Sequence, residues 1–368
     1  MSLAASAPVD HPRIRVMVAD DSAVIRGLEA RALESEGDIE IVASVADGRA
    51  AVAALARTPI DVIVLDVEMP VMDGLTAIPL LLKAAPAVKI VMASTLTRKN
   101  AQITLHALSA GASDFLLKPS AVRDLLGPAS FNRELRTKVR QLAAKPGRPV
   151  TPRPLQLATG PGRVPAISND IALRPMPMRS PEVIAIGSST GGPQALLRVL
   201  GDLAPTMRKP ILITQHMPPT FTAILASHIS RQCGVTAVEA KEGLRIEPGR
   251  VYVAPGDFHM TVDASHTVHV SKGPPENYCR PSVDPMLRSL VEAYRNRVLT
   301  VMLTGMGHDG LAGSKAVVEA GGAVFAQDEA TSVVWGMPGA VAKAGLCSAI
   351  LPLPEIGQRL RPYASGEV

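Results

Sequence analysis

Aromatic residues are scarce in this chain: five Phe, four Tyr and one Trp make up 3% of its 368 residues. Rows of stacking rings, the platform that holds single-stranded nucleic acid, are therefore not expected. Cysteine is nearly absent as well. Cys233, Cys279 and Cys347 are odd in number, far apart and outside any CxxC spacing. That excludes a disulfide framework and a zinc cluster, and it fits a reducing compartment. No apolar run approaches the ~20 residues that span a bilayer. The start "MSLAASAPVDHP" lacks both a basic and an apolar leader segment. A soluble cytoplasmic protein without membrane insertion is the expectation.

Acidic residues run short in one place only. Between Lys145 and Pro181, Lys145, Arg148, Arg153, Arg163, Arg174 and Arg179 face Asp170 alone, and this excess accounts for the whole formal charge of +5. The rest of the chain balances, so the composition makes no case for a basic, nucleic-acid-binding face on a folded domain. The same segment holds nine prolines between Pro146 and Pro181 and has no usable periodicity. It reads as an extended, semi-rigid tether.

On either side of that tether the chain has ample apolar content, 47% hydrophobic, enough for about two domains. "RVMVAD", "IEIVASV", "VIVLDV", "KIVMAST" and "DFLLKP" are Val- and Ile-rich runs that read as buried strands. They alternate with helical spacings and are followed by the helical "FNRELRTKVRQLAA". This predicts an α/β fold whose first part is a five-stranded, doubly wound parallel sheet. After the tether, "VIAIG", "ILITQ", "RVYVAP", "HMTVD", "TVHVS", "VLTVMLTG" and "AVFAQD" read as strands, with helices at Pro193–Leu200, Thr220–Ser230, Pro285–Arg295, Leu311–Ala320 and Gly339–Ala344. "HMTVDASHTVHV" reads as a hairpin, so the second sheet is expected to be mostly parallel but mixed. The expected division is residues 13–130, a helix and basic proline-rich linker over 131–180, and a second domain over 181–368.

In the first block the chemistry-bearing residues all fall at carboxyl ends of strands, where open α/β sheets build sites. Asp20 and Asp21 end the first strand, Asp66 the third, Ser94 the fourth and Lys118 the fifth. Three carboxylates converging on one crevice repel unless a hard cation joins them, and Mg²⁺ suits such oxygens. Lys118 can oppose an incoming phosphoryl group and Ser94 can hydrogen-bond it. Any one of these residues alone is more economically a helix cap or a surface charge. Together, "ADDS", "VLDVEMPVMDG", "MAST" and "DFLLKP" resemble a response-regulator receiver domain of the flavodoxin-like fold. That resemblance implies Asp66 as phospho-acceptor, and Mg²⁺ held by Asp20, Asp21, Asp66 and the backbone carbonyl of Glu68. It further implies Ser94 and Lys118 as phosphoryl sensors, with Phe115 at the aromatic switch position.

The second block opens on "VIAIGSSTGGPQALLRVL". No lysine follows Gly192, so the turn is not a phosphate-cradling P-loop, and the early second glycine of a dinucleotide fingerprint is missing. It matches G-x-S-x-G, with Ser189 at the strand-to-helix turn. A Ser-Gly turn is common, and a nucleophile also needs a base and an orienting group. Among eight histidines, His216 ends the strand "ILITQ" at the same sheet edge. His259, His266 and His269 read as solvent-facing in the hairpin, and His228 as a surface residue of a helix. His308 is the rival, but neighbouring residues usually point apart, and Asp309 suits the position that fixes an imidazole tautomer. The glycines around Met306 let backbone N–H groups approach an oxyanion.

"IGSSTGGP", "TQHMPPTFT", "YVAPGDFHM", "RPSVDPML", "LTGMGHDG" and "AQDEATSVVWGMPGAV" resemble the chemotaxis protein-glutamate methylesterase (CheB) family. The resemblance implies Ser189 as nucleophile, His216 as general base and acid, and Asp309 as its orienting partner. It implies the Met306 N–H as an oxyanion donor and Thr190 as support. His308 stands where the family pattern leads one to expect asparagine or another residue. The implied activity is hydrolysis of glutamyl methyl esters on methyl-accepting chemoreceptors, with deamidation of receptor glutamines. A chemotaxis histidine kinase is the implied phosphodonor, and the hydrolytic domain is expected to need no cofactor. Phosphorylation of Asp66 is expected to release an obstruction of the Ser189 edge by the receiver. Rival readings are a non-enzymatic phospho-switch adaptor, an esterase for another substrate, and a DNA-binding regulator. The last is disfavoured because no helix-turn-helix pattern follows the receiver.

Overall fold

In a computed structural model the chain divides into two compact units, Met1–Ala143 and Ala144–Val368. The structure describes residues 13–95, 97–118, 130–144, 171–177, 179–204 and 206–367. Most of the proline-rich segment, residues 145–170, therefore lies outside the described residues, as does Pro119.

In the first unit the apolar runs form β1 (Ile14–Ala19), β2 (Ile39–Val45), β3 (Val62–Asp66), β4 (Lys89–Ser94) and β5 (Asp114–Leu117). They pair in parallel in the order β2-β1-β3-β4-β5. All five residues of β3 are buried, as its unbroken VIVLD run demands of a strand covered on both faces. The helices are α1 (Ala23–Glu34), α2 (Gly48–Leu55), α3 (Gly74–Ala84), α4 (Arg98–Ser109) and α5 (Ser130–Ala143). Ser22, Asp47, Asp73 and Thr97 cap the first four, each side chain accepting a first-turn N–H, a contribution of about 1 kcal/mol per helix. Strand order reverses between β1 and β3, so Asp20 and Asp66 flank the switch point.

The second unit is built on a seven-stranded sheet, ordered β14-β13-β12-β6-β7-β9-β8 and parallel throughout. Its strands are β6 (Val183–Ser188), β7 (Ile211–Gln215), β8 (Thr236–Glu239), β9 (Arg250–Val253), β12 (Val298–Met302), β13 (Ala323–Gln327) and β14 (Ala349–Leu351). The hairpin expected from the sequence is present as β10 (His259–Val262) and β11 (Val268–Ser271), but it forms a separate two-stranded antiparallel sheet. The main sheet is thus not mixed. The hairpin instead packs on α8 (Val283–Tyr294), where Met260, Val262 and Val268 join Met286, Leu287 and Leu290 in one core. The remaining helices are α6 (Gly192–Leu203), α7 (Phe221–Cys233), α9 (Leu311–Glu319), α10 (Met337–Lys343) and α11 (Leu353–Ser365).

Strands β8 and β14 and the terminal helix α11 have no counterpart in the sequence reading. The two strands are four and three residues long. Helix α11 carries Pro362 and Gly357, which argue locally against a helix, yet it buries Ile356 and Leu360. The last stretch of the tether belongs to this unit. Ile171 packs on its core, and Arg174 N donates to Cys347 O at 2.8 Å.

Strand order places β6 at the centre, with the chain running outward through β7 on one side and β12 on the other. The crevice above the carboxyl ends of β12, β6 and β7 is the switch point of this sheet.

Candidate active site

Parallel register brings the relevant loops together. Ser188 on β6 pairs with Gln215 on β7, so Ser189 and His216 leave neighbouring strands at the same level. His216 N confirms the register by donating to Ser188 O at 3.1 Å. The loop after β12 supplies Met306 and Asp309, and Ser189 N reaches across to donate to Thr304 O at 3.0 Å.

Asp309 is the best-anchored side chain of the crevice. Its Oδ2 lies 2.7 Å from His216 Nε2 and accepts Val283 N at 2.7 Å. Its Oδ1 accepts Ser282 Oγ at 2.6 Å, Asn277 Nδ2 at 2.9 Å and Gly310 N at 2.9 Å, with Asp284 N at 3.3 Å. Val283 and Asp284 open α8, so the carboxylate sits at a helix N-terminus, whose positive end favours it. Burial pushes its proton affinity up, but the bonds from His216, Ser282 and Val283 outweigh this and bring it down to about 2. Burial pushes His216 the other way, toward the neutral form. Hydrogen bonds to Asp309 and Cys279 reverse that and raise it to about 9. Asp309 is buried and its neighbour His308 exposed, so the two do point apart.

Ser189 stands at the turn ahead of α6, but its Oγ makes no hydrogen bond to His216 among the described residues. The second ring nitrogen of His216, Nδ1, instead meets Cys279 Sγ at 3.5 Å. Thr190 is buried, and its carbonyl accepts Thr304 Oγ1 at 2.9 Å. Met306 lies half-buried on the glycine turn, with no hydrogen-bond partner for its N–H among the described residues.

Several residues here were not assigned from the sequence. Gln215 is buried, accepts Ser188 Oγ at 2.7 Å, and donates to Ser189 O at 2.9 Å and His216 O at 3.2 Å. It clamps the serine turn to the histidine. A Cβ on Gly192 would stand 2.0 Å from Gln215 Oε1, which is why glycine occupies that turn. Ser282, Asn277 and Cys279 come from the loop ahead of α8. Two histidine expectations fail: His259 is buried, bonded to Pro274 O at 2.9 Å and to Ser282 N at 3.2 Å, and His228 is also buried.

In the first unit, Asp20, Asp21 and Asp66 offer oxygens that all lie within 4.8 Å of one another. Lys118 Nζ joins Asp20 Oδ2 at 2.5 Å and Asp66 Oδ1 at 2.6 Å. Burial raises the proton affinity of Asp66, and Lys118 offsets this only in part. A close set of hard carboxylate oxygens fits Mg²⁺. Ser94 is buried and its Oγ accepts Thr104 Oγ1 at 2.9 Å. Phe115 is buried. Glu68 lies exposed on the loop after β3, its side chain paired with Lys99 at 3.0 Å. Behind the cluster Glu29 is buried, with neither carboxylate oxygen hydrogen-bonded among the described residues, and burial pushes it up to about 8. Among the described residues no helix is long and apolar enough to cross a membrane.

Residues 184–360 match the CheB methylesterase family and residues 16–128 the response regulator receiver domain family. The chain is 57% identical to the protein-glutamate methylesterase/protein-glutamine glutaminase of group 2 operon of Rhodospirillum centenum, over 95% of this chain and 94% of that protein. It is 55% identical to the protein-glutamate methylesterase/protein-glutamine glutaminase of Azospirillum brasilense, over 98% of this chain and 96% of that protein. Among solved structures, the Thermotoga maritima CheB methylesterase catalytic domain is 40% identical, covers 50% of this chain and 98% of that chain, and superposes with a TM-score of 0.48.

Proposed function

This chain belongs to the CheB family of receiver-linked methylesterases, and from that premise we propose that it hydrolyses glutamyl methyl esters on chemoreceptors under the control of phosphorylation at Asp66. The same chemistry on a glutamine side chain releases ammonia in place of methanol. The observation that carries this reading is the 2.7 Å pair between His216 Nε2 and Asp309 Oδ2, held at the sheet edge from which Ser189 also emerges.

With Nε2 committed to Asp309, Nδ1 is the nitrogen that takes the Ser189 proton. Ser189 Oγ attacks the ester carbonyl as that proton transfers, and the carbonyl oxygen gains negative charge. The Met306 N–H and the N-terminal end of α6 stabilise it. Methanol departs with the proton from His216, leaving an acyl-serine. Water, deprotonated by His216, then releases the glutamate carboxylate and restores Ser189. The Ser189–His216 contact forms when substrate arrives; catalytic hydrogen bonds are often loose in the free enzyme. Thr190 and Gln215 hold the turn through backbone contacts. This sequence draws on no cofactor in the hydrolytic unit.

In the receiver, Asp20, Asp21 and Asp66 with the carbonyl of Glu68 would hold Mg²⁺, which neutralises charge during phosphoryl transfer. Asp66 accepts the phosphoryl group from a histidine kinase, and Lys118 and Ser94 bind it. About −1.5 to −2 of added charge then biases the receiver between two states. Phe115, which is buried, is the aromatic that would repack between them.

Release of methanol from a methylated receptor fragment, with and without a phosphodonor, tests the proposal. The wild-type chain should release methanol faster once phosphorylated, and Ser189→Ala should lose at least ~10³-fold of the rate while keeping its melting temperature. An unaffected Ser189→Ala variant would refute it and favour an adaptor.

A further inference from the structure

Between the end of β11 and the start of α8 the chain makes a tight turn, Glu276-Asn277-Tyr278-Cys279. Glu276 N donates to Cys279 O at 3.2 Å and Cys279 N returns to Glu276 O at 2.9 Å. Both central residues take positive φ, 52° for Asn277 and 62° for Tyr278, the pattern of a type I′ turn. Asparagine tolerates that region; tyrosine does so only at a cost in strain. Yet tyrosine is at the apex, fully exposed. Tyr252 and Tyr294 are buried, and Tyr278 is the one exposed aromatic among the described residues.

The turn is fixed to the reacting centre from both flanks. Asn277 Nδ2 bridges Asp309 Oδ1 at 2.9 Å and Asp284 Oδ2 at 2.8 Å. Cys279 Sγ meets His216 Nδ1 at 3.5 Å. Arg288 grips Glu276 through both carboxylate oxygens, at 2.7 and 2.8 Å, and Arg280, the residue after the turn, donates to Asp257 Oδ1 at 2.5 Å and to Gly273 O at 2.9 Å. The ring is therefore presented at the rim by a braced loop, one residue from groups that touch the His216–Asp309 pair. A rigid, amphipathic ring offered to solvent at little conformational cost is what protein recognition uses as an anchor. A free small ester carries no protein surface for such an anchor to dock, whereas an ester on a protein does.

We propose that Tyr278 is a specificity-determining residue: it docks the protein surface surrounding the glutamyl methyl ester and selects protein-borne esters over free ones. This rests on the proposed esterase reading. The test uses the full chain and two probes, a methylated chemoreceptor cytoplasmic fragment and the γ-methyl ester of N-acetylglutamate. The quantity read is kcat/KM for the fragment divided by kcat/KM for the small ester. Tyr278→Asn removes the ring while suiting the positive φ, and should lower this ratio about tenfold or more, chiefly through KM for the fragment. Tyr278→Phe keeps the ring and should hold the ratio within about threefold of wild type. An unchanged ratio in Tyr278→Asn overturns the assignment. Failure of the wild-type chain to release methanol from the fragment, with the small ester still cleaved, would remove the receptor as substrate and the docking role with it.

Discussion

Replacing Asp309 by asparagine changes one atom, and the structure says what that atom does. An amide nitrogen can take only one oxygen position, and every contact there is a donor. On the Oδ1 side it would face Ser282 Oγ, Asn277 Nδ2 and Gly310 N. On the Oδ2 side it faces only Val283 N and His216 Nε2, so the amide settles there. Nε2 must then accept instead of donate, which moves the imidazole proton to Nδ1 and closes the nitrogen that the proposed mechanism assigns to Ser189. The expected loss in kcat/KM is ~10³–10⁴-fold, or about 4–5.5 kcal/mol of barrier. Val283 N–H, buried and left without an acceptor, adds roughly 1–3 kcal/mol of destabilisation. Ionisation shifts sharpen the test. His216, raised from 6.5 to about 9, contributes roughly 3 kcal/mol of stability. That contribution is complete below pH 6.5 and disappears as pH rises through 9. The melting-temperature gap between wild type and Asp309→Asn should therefore narrow from pH 6 to pH 10. In methanol-release kinetics the wild-type rate should climb with pH through a limb near 9, where half of the imidazole is neutral, and level off above it. The residual Asp309→Asn activity should show that limb displaced to lower pH, because burial alone disfavours the imidazolium. A loss smaller than tenfold, or a limb that does not move, would refute the reasoning.

Gly192→Ala places a methyl 2.0 Å from Gln215 Oε1; urea titration should show a loss of about 1–3 kcal/mol, and esterase activity should fall with it as the clamp on the serine turn opens. Glu29, buried and raised from 4.5 to about 8, costs stability that grows as pH rises from 4.5 to 8. Glu29→Leu should therefore stabilise the receiver by up to about 3 kcal/mol at pH 7, with little gain at pH 4.5, read from denaturant midpoints at the two pH values. Asp66→Asn should take up no phosphoryl group from acetyl phosphate, and wild-type uptake should vanish when Mg²⁺ is chelated; intact-mass measurement checks both.

The sequence made legible what depends on strand ends. Val- and Ile-rich runs mark where β1, β3, β6 and β7 stop, and the positions of Asp20, Asp66, Ser189 and His216 follow from those stops. Pairing was harder to read. The role of Gln215 depends on its register with Ser188, 27 residues away, and nothing local to "ILITQ" marks its side chain as turned toward the serine. Asn277 and Cys279 reach the site only because the loop before α8 folds back over it. His259 was misread because the hairpin looked two-faced, with one side wet. In the structure that side receives Ser282 N and the loop carbonyl of Pro274. Short β8 and β14 carry too little pattern to declare themselves, and α11 holds its helix against Pro362 because Ile356 and Leu360 are buried.

Both units place a carboxylate at a switch point, and their opposite shifts match the tasks proposed for them. Asp309 accepts bonds from a hydroxyl, an amide side chain and several backbone N–H groups besides His216. Those donors favour its ionised form, so the imidazolium of the proposed acyl transfer would have its counter-charge. Asp66 accepts from Lys118 and Val67 N, and burial still raises it. A carboxylate that is poorly solvated and only lightly bonded keeps an oxygen able to attack phosphorus, and gains from a cation placed beside it. Supplying Asp66 with the donors of Asp309 would quench it as an acceptor; stripping Asp309 of its donors would let it take the proton that His216 must carry. On the proposed mechanism, the number of donors each loop supplies, more than the sheet beneath, separates the carboxylate that reacts from the one that steadies.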